Sequence, residues 1–359
     1  MQSGVLHSES GPCRRPRCAP WLAAFLFVAG VVALGHPSYQ ISDDVGILRN
    51  LENGFEAPFI SMLLGKGLLF LYRIAPPIPW YGLLLYIAHA VSLGLFFSIF
   101  MCSSTARRMA VPWVMLYLAI YAGFLLRIGF NAASVMLGIN ALLAWMSWDV
   151  AGEVRRRRTV LGMGCMLAAS YLIRVDGFYL VLFLGLPVLL MGAARRGGRR
   201  RGVFLFAAPV AVAILLNTLV TPRFVPEPYC RYAEYNLARG RFMDFPIAQA
   251  NTNNMELMAA VNWSANDYRA LTHWFFLDED VYSRARLQEI VGRSDLARLT
   301  PPGYLGHTLE VFWGQYYRHV WLLALALLAA FRISGRRMRG LELAYAVYAL
   351  AIMIGIALL

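Results

Sequence analysis

The chain has 359 residues, 59% of them hydrophobic and only 15% charged, with a mean hydropathy of +0.55. Soluble domains run at about 45–50% apolar and about 25% charged, so this composition excludes an ordinary soluble globule and points to a membrane protein. The net charge is +13, and all but Lys66 of the basic residues are arginines set in short clusters between apolar runs. That pattern is the positive-inside signature of cytoplasmic loops; no basic face interleaved with aromatics appears, which argues against nucleic acid as a partner. Cys13, Cys18, Cys102, Cys165 and Cys230 are scattered, and no second Cys or His pair completes a zinc site.

Taken in chain order, residues 1–19 read as a basic cytoplasmic N-terminus. The first apolar run, 20–35, is followed by no convincing small-x-small cleavage site, so it reads as a retained signal-anchor. Residues 36–79 form a loop that opens "HPSYQISDDVGILRNLENG" and carries two adjacent carboxylates, Asp43 and Asp44. Its later part, 57–76, is apolar but holds Lys66, Arg73, Gly65 and Gly67 and ends at Pro76-Pro77, so it is expected to lie at the membrane surface without crossing. Six apolar runs follow at 80–101, 111–126, 132–148, 159–173, 177–192 and 202–220, and they predict a six-helix bundle over 80–220. Residues 221–315, bracketed by proline-rich stretches, predict a mostly helical extramembrane domain, and 316–331 and 341–359 complete the chain as two more spans within 316–359. The expected fold is therefore all-α and polytopic, with about nine transmembrane helices.

A cytoplasmic N-terminus places the arginine-rich loops at 102–110, 149–158, 193–201 and 332–340 on the inner side, in agreement with the charge rule. The loop 36–79, the domain 221–315 and the C-terminus are then exported. The setting expected is a bacterial inner membrane.

Ser42 followed by Asp43 and Asp44 makes a good helix start, because serine caps free N–H groups and acidic residues suit the positive end of the dipole. A carboxylate at the outer surface beside a span can also act as general base on a hydroxyl, or hold a divalent cation against a phosphate. Arg49, Arg73, Arg127 and Arg174 fall on the same side, and the guanidinium fork suits a lipid-linked phosphate. Arg174 could equally pair with Asp176, and Arg127 could snorkel to the headgroups. In "NWSANDYRALTHWFF", Asp267 and Tyr268 could recognise an acceptor sugar with Trp263 or Trp274 stacking on it; the same "SAND" reads as a helix start and the tryptophans as core. His89 sits near the middle of the second span, where an ionisable group is either functional or satisfied by a neighbouring helix. The small residues of "GMGCM" at 162–166 suit close helix packing. No phosphate-binding glycine loop and no serine-hydrolase elbow occurs, so catalysis driven by a cytoplasmic nucleotide is not expected.

One retained span followed by "SDDVGILRNLENG" resembles the GT-C superfamily of polyprenyl-phosphate-dependent membrane glycosyltransferases. The chain is also similar to a group of bacterial polytopic proteins with an Asp-Asp first loop. That likeness rests on Leu71, Tyr72, Pro76, Trp80 and Tyr81 at the entry to the second span, and on Ser264, Asn266, Asp267 and Tyr268 in the late domain. It departs at Ser42, where asparagine would be expected, and nine spans is fewer than many such enzymes have. The resemblance implies transfer of a sugar from a polyprenyl-phosphate donor to an envelope glycan or lipid acceptor on the exported face. Asp43 or Asp44 would be the base, and the four arginines would hold the leaving phosphate. No cofactor is called for with certainty; a divalent metal would be the candidate, although no exported cluster demands it. A lipid-glycan transporter or flippase, or a non-catalytic accessory subunit in which the acidic pair only caps a helix, are the alternative readings.

Overall fold

A computed structural model describes residues 18–40, 42–102, 111–147, 156–183, 185, 200–243, 255–273, 278 and 280–293. The spans expected at 316–331 and 341–359, most of the arginine loops and Trp274 lie outside these residues. Helices account for 82% of the described chain, in keeping with the all-α expectation. The chain divides between Leu216 and Asn217 into two compact units.

In the first unit α1 (Ala19–Gly35) is followed by the short strand β1 (Ser38–Tyr39), α2 (Ser42–Glu52) and α3 (Met62–Ile74). Then come α4 (Trp80–Cys102), α5 (Val111–Leu126), β2 (Arg127–Ile128), α6 (Phe130–Ser147) and α7 (Arg156–Ile173), a further helical stretch α8 at 175–183, and α9 (Arg200–Leu215). The apolar runs at 20–35, 80–101, 111–126, 132–148 and 159–173 agree with the helices within about three residues, because chain-breaking or polar residues flank each run. The run at 202–220 leaves α-helical geometry after Leu215, and the end of the run at 177–192 lies outside the described residues. The start of α7 is instructive: it begins ahead of its apolar run and takes Arg156–Arg158 into its first turn. Cations there oppose the helix dipole, so the arginines are not placed for helix stability.

Trp80–Ser98 and Gly202–Leu219 are each long and apolar enough to cross a membrane, and Ala19–Gly35, Tyr117–Leu126 and Phe130–Trp145 are shorter apolar helices. Only 11% of the 202–219 stretch is buried within the protein, leaving side chains such as Phe204, Val212 and Leu219 on the surface. Exposed apolar surface of that extent marks a face made for a membrane or for a protein partner. The chain continues past α9 as a π-helical turn, Leu216–Val220, and a 3₁₀ turn, Thr221–Phe224.

Helix α1 packs on α4 and α5, α4 on α6, α6 on α7, and α7 on α9. Small residues set the closest approaches. A Cβ added at Gly94 would lie 2.3 Å from the Trp21 ring, and one at Gly164 would lie 2.4 Å from the Phe206 carbonyl oxygen. The parallel pairing of Ser38 with Arg127 and of Tyr39 with Ile128 ties the exit of α1 to the exit of α5. This end of the bundle, where α1, α5 and α7 finish and α4 and α6 begin, carries α2 and α3.

Both ends of α3 are fastened at that one end. Before its first turn, the Ser61 N–H donates to the Leu172 carbonyl at 3.0 Å, at the end of α7. In its last turn, the Tyr72 hydroxyl accepts from the Tyr81 N–H at 3.2 Å, and just beyond it the Ala75 carbonyl accepts from Trp80 Nε1 at 3.0 Å. Its length, 13 residues, corresponds to about 20 Å, short of the ~30 Å bilayer core. Met62, Gly65, Leu68, Leu69 and Tyr72 face inward, with Lys66, Phe70, Arg73 and Ile74 exposed.

The second unit contains α10 (Glu227–Met243), α11 (Met255–Ala260), α12 (Ala265–Thr272) and α13 (Arg284–Arg293). Trp263, Tyr268, Leu271, Tyr282, Leu287 and Ile290 form the centre of its own core.

Candidate functional site

The acidic pair is split by the first turn of α2. Asp44 is 0% exposed, whereas Asp43 is partly exposed. Consecutive positions on a helix point about 100° apart, so one carboxylate turns into the bundle with Ile47 and Leu51 while its neighbour stays near the surface.

Asp44 Oδ1 accepts a hydrogen bond from the Tyr81 hydroxyl at 2.6 Å and another from the Phe130 N–H at 3.0 Å. The Phe130 amide belongs to the first turn of α6, where backbone donors are unspent and the helix dipole favours negative charge. Gly129 is what lets the strand reach this point, since a Cβ there would lie 2.7 Å from Gln40 Oε1 and 3.1 Å from Asp44 Oδ2. The Tyr81 ring stacks on Tyr39 with centroids 5.9 Å apart. Burial pushes the Tyr39 phenol up to about 12, so it stays protonated at neutral pH. Tyr72, Trp80 and Tyr81, singled out as a motif, thus lock the α3–α4 corner and hand a hydroxyl to Asp44.

Arg174 joins the same neighbourhood from the end of α7. Its guanidinium carbon lies 5.1 Å from the Phe130 ring centroid, a cation–π contact, and Nη1 donates to the Phe59 carbonyl at 3.3 Å. Phe59 has φ of +68°, a left-handed conformation that a bulky residue adopts at a cost of about 1–3 kcal/mol. Arg174 Nη2 also pairs with Asp176 Oδ2 at 2.8 Å, the pairing that two-residue spacing suggested. Arg127 is exposed in β2, three residues before Phe130, and Arg49 is exposed on α2. Arg73 is exposed at the end of α3, beside a cavity of about 330 Å³ that Glu52 and Tyr72 also line. The four arginines therefore sit on the loop side of the bundle, but only Arg174 is tied to the residues that hold Asp44.

The late-domain residues are engaged in structure. The Ser264 hydroxyl accepts from the Asp267 N–H at 3.2 Å while the Ser264 N–H donates to Asp267 Oδ2 at 2.8 Å, a reciprocal cap at the start of α12. These bonds from Ser264 hold the Asp267 carboxyl below its usual range. Trp263 is buried with Nε1 donating to the Val281 carbonyl at 2.6 Å, and Tyr268 is buried beside it in the core. His89 is buried in α4 with Nδ1 2.9 Å from the Tyr121 hydroxyl on α5, the neighbouring-helix partner that a mid-span histidine needs. Among the described residues, no group of three or more His, Cys, Asp or Glu could hold a metal ion.

Sequence reading missed Phe130, Gly129, Tyr39 and Phe59. Phe130 acts through its backbone, which no side-chain pattern announces. Gly129, a lone glycine between two apolar runs, was the one visible signal. No protein-family model, curated protein or solved structure matches the chain.

Proposed function

We propose that this chain is a polytopic membrane glycosyltransferase of the GT-C type, with about nine spans and its α2–α3 face exported, in a bacterial inner membrane. It moves a sugar from a polyprenyl-phosphate donor to an envelope glycan or lipid. The observation that carries the reading is the division of labour within the acidic pair, a buried Asp44 anchored by Tyr81 and Phe130 beside a partly exposed Asp43. The fastening of α3 at one end of the bundle supports counting it as a surface helix, and so supports the alternation that keeps the arginine loops cytoplasmic.

In this mechanism Asp43 is the base, because a general base has to reach the acceptor hydroxyl and Asp44 has no exposed surface. The acceptor oxygen attacks the anomeric carbon as its proton passes to the Asp43 carboxylate. The bond from that carbon to the phosphate oxygen breaks, and its electron pair leaves with the polyprenyl phosphate. One displacement inverts the anomeric configuration. Arg127 and Arg174 would hold the leaving phosphate, Arg174 from a position fixed by Phe59, Phe130 and Asp176. Asp44 acts as a positioning residue that holds the first turn of α2 onto α4 and α6.

The test is a comparison of envelope glycans and polyprenyl-linked intermediates by mass spectrometry between a deletion strain and the same strain expressing the protein. Loss of one glycan modification with accumulation of its polyprenyl-linked donor is the expected result. A glycan profile unchanged by the deletion contradicts it. Accumulation of a complete lipid-linked glycan, on the wrong side of the membrane and with nothing left untransferred, would favour a flippase instead.

A further inference from the structure

The last turns of α2 and α3 border the open cavity of about 330 Å³, the small end of the roughly 300–1,000 Å³ range of small-molecule pockets. Pro76 and the edges of the buried Leu51 and Leu69 give it a small apolar patch, and Glu52, Tyr72 and Arg73 supply a carboxylate, a phenol and a guanidinium. Among the described residues, neither Glu52 nor Arg73 has a hydrogen-bonding or ion-pair partner. Tyr72 accepts from the Tyr81 N–H and keeps its own O–H to donate. Three polar groups with bonding capacity to spare thus converge over a small apolar patch.

The chemistry selects among ligands. A phosphate would gain one cation and meet one anion. A lipid tail would leave Glu52 and Arg73 unpaired when it covered them, which costs more than its burial returns. A neutral pyranose fits both parts, since its C–H face can lie on Pro76 against the edges of Leu51 and Leu69. Adjacent ring hydroxyls can donate to the Glu52 carboxylate and accept from the Arg73 fork and the Tyr72 hydroxyl. Helix α2 carries Glu52 nine residues beyond Asp43, about 14 Å at the helical rise. A ring in the cavity is therefore not the ring that reacts at Asp43.

The geometry points to this cavity as a neutral-sugar subsite that grips the acceptor glycan at a unit remote from the reacting hydroxyl. The assignment rests on the transferase reading for the word acceptor, but sugar binding itself can be measured without transfer.

The experiment uses the full-length protein in lipid nanodiscs and saturation-transfer difference NMR, with methyl glucoside, mannoside, galactoside and N-acetylglucosaminide as probes. At least one glycoside is expected to give ring-proton signals. Glu52→Gln and Arg73→Ala should each weaken its binding roughly tenfold, the effect of losing one hydrogen bond to a charged group. Asp43→Asn should leave binding unchanged. Both cavity residues are exposed, and a monodisperse elution profile verifies that the variants fold. The inference is overturned if no glycoside binds, if binding is unaffected by both cavity substitutions, or if inorganic phosphate or free glutamate displaces the bound glycoside. Its failure is distinguishable from failure of the transferase reading. A cavity that binds no sugar in a protein whose deletion removes a glycan modification sinks the subsite alone. Glycoside binding in a protein whose deletion changes no glycan sinks the transferase reading and leaves a sugar-binding cavity.

Discussion

Asp44 and Asp43 are neighbours in sequence with opposite physical situations, and their substitution should separate stability from activity. Replacing Asp44 with alanine leaves the Tyr81 hydroxyl and the Phe130 N–H buried without this acceptor, at about 1–3 kcal/mol for each stranded group. Asp44→Asn keeps an acceptor oxygen for both donors and should cost less than Asp44→Ala. Tyr81→Phe should cost about 1–3 kcal/mol, the cost of removing one partner of a buried hydrogen bond. Thermal denaturation in detergent, followed by size-exclusion, checks the order; equal stability of Asp44→Ala and wild type would refute the anchor. In the second unit, Ser264→Ala should weaken the start of α12 by about 1 kcal/mol. Because the folded carboxyl of Asp267 is held below its usual range, its stabilising contribution is complete above about pH 3.8 and is lost as pH falls through the lower folded value. An NMR titration of Asp267 should show that depressed midpoint moving up toward 3.8 in Ser264→Ala; an unchanged midpoint contradicts the cap.

At the scale of elements, the glycines of α7 offer a paired test. Gly164 faces the backbone of α9 so closely that a Cβ would lie 2.4 Å from the Phe206 carbonyl oxygen, while a Cβ at Gly162 meets nothing within 4 Å. Gly164→Ala should force α7 and α9 apart at a cost of about 1–3 kcal/mol, and Gly162→Ala should be neutral or stabilising by up to ~1 kcal/mol. Matched melting curves of the two variants decide it. The same helix illustrates what is legible in a sequence. The small residues of "GMGCM" announce close packing, but not which of them is in contact. The helix limits are legible because apolar runs end at polar or chain-breaking residues, and the Ser264–Asp267 cap and the Arg174–Asp176 pair are legible because the partners are three and two residues apart. The Asp44 junction was not. Its donors lie 37 and 86 residues away, one of them is a backbone amide, and only the folded bundle brings them together.

For the whole molecule, the proposed topology sets Cys18 on the cytoplasmic side and Cys230 on the exported side, and both are exposed. In variants keeping one cysteine each, a membrane-impermeant maleimide should label Cys230 in intact spheroplasts and Cys18 only after permeabilisation. The reverse pattern would turn the molecule over and place Asp43 in the cytoplasm, away from exported acceptors. Exposed apolar side chains along α1 and α9 agree with the membrane setting that composition suggests: these helices present apolar surface where a soluble protein would present charge. The central claim is chemical, that Asp43 removes the acceptor proton while Asp44 holds α2 in place. Its most direct test is the initial rate of sugar transfer from a polyprenyl-phosphate donor to the acceptor named by the deletion strain, measured for wild type, Asp43→Asn and Asp44→Asn at equal folded protein. For Asp43→Asn the rate is expected to fall about 10²–10⁴-fold at equal folded protein, as befits loss of a general base, and Asp44→Asn should show a smaller loss that tracks its lowered stability. Full activity in Asp43→Asn would contradict the assignment.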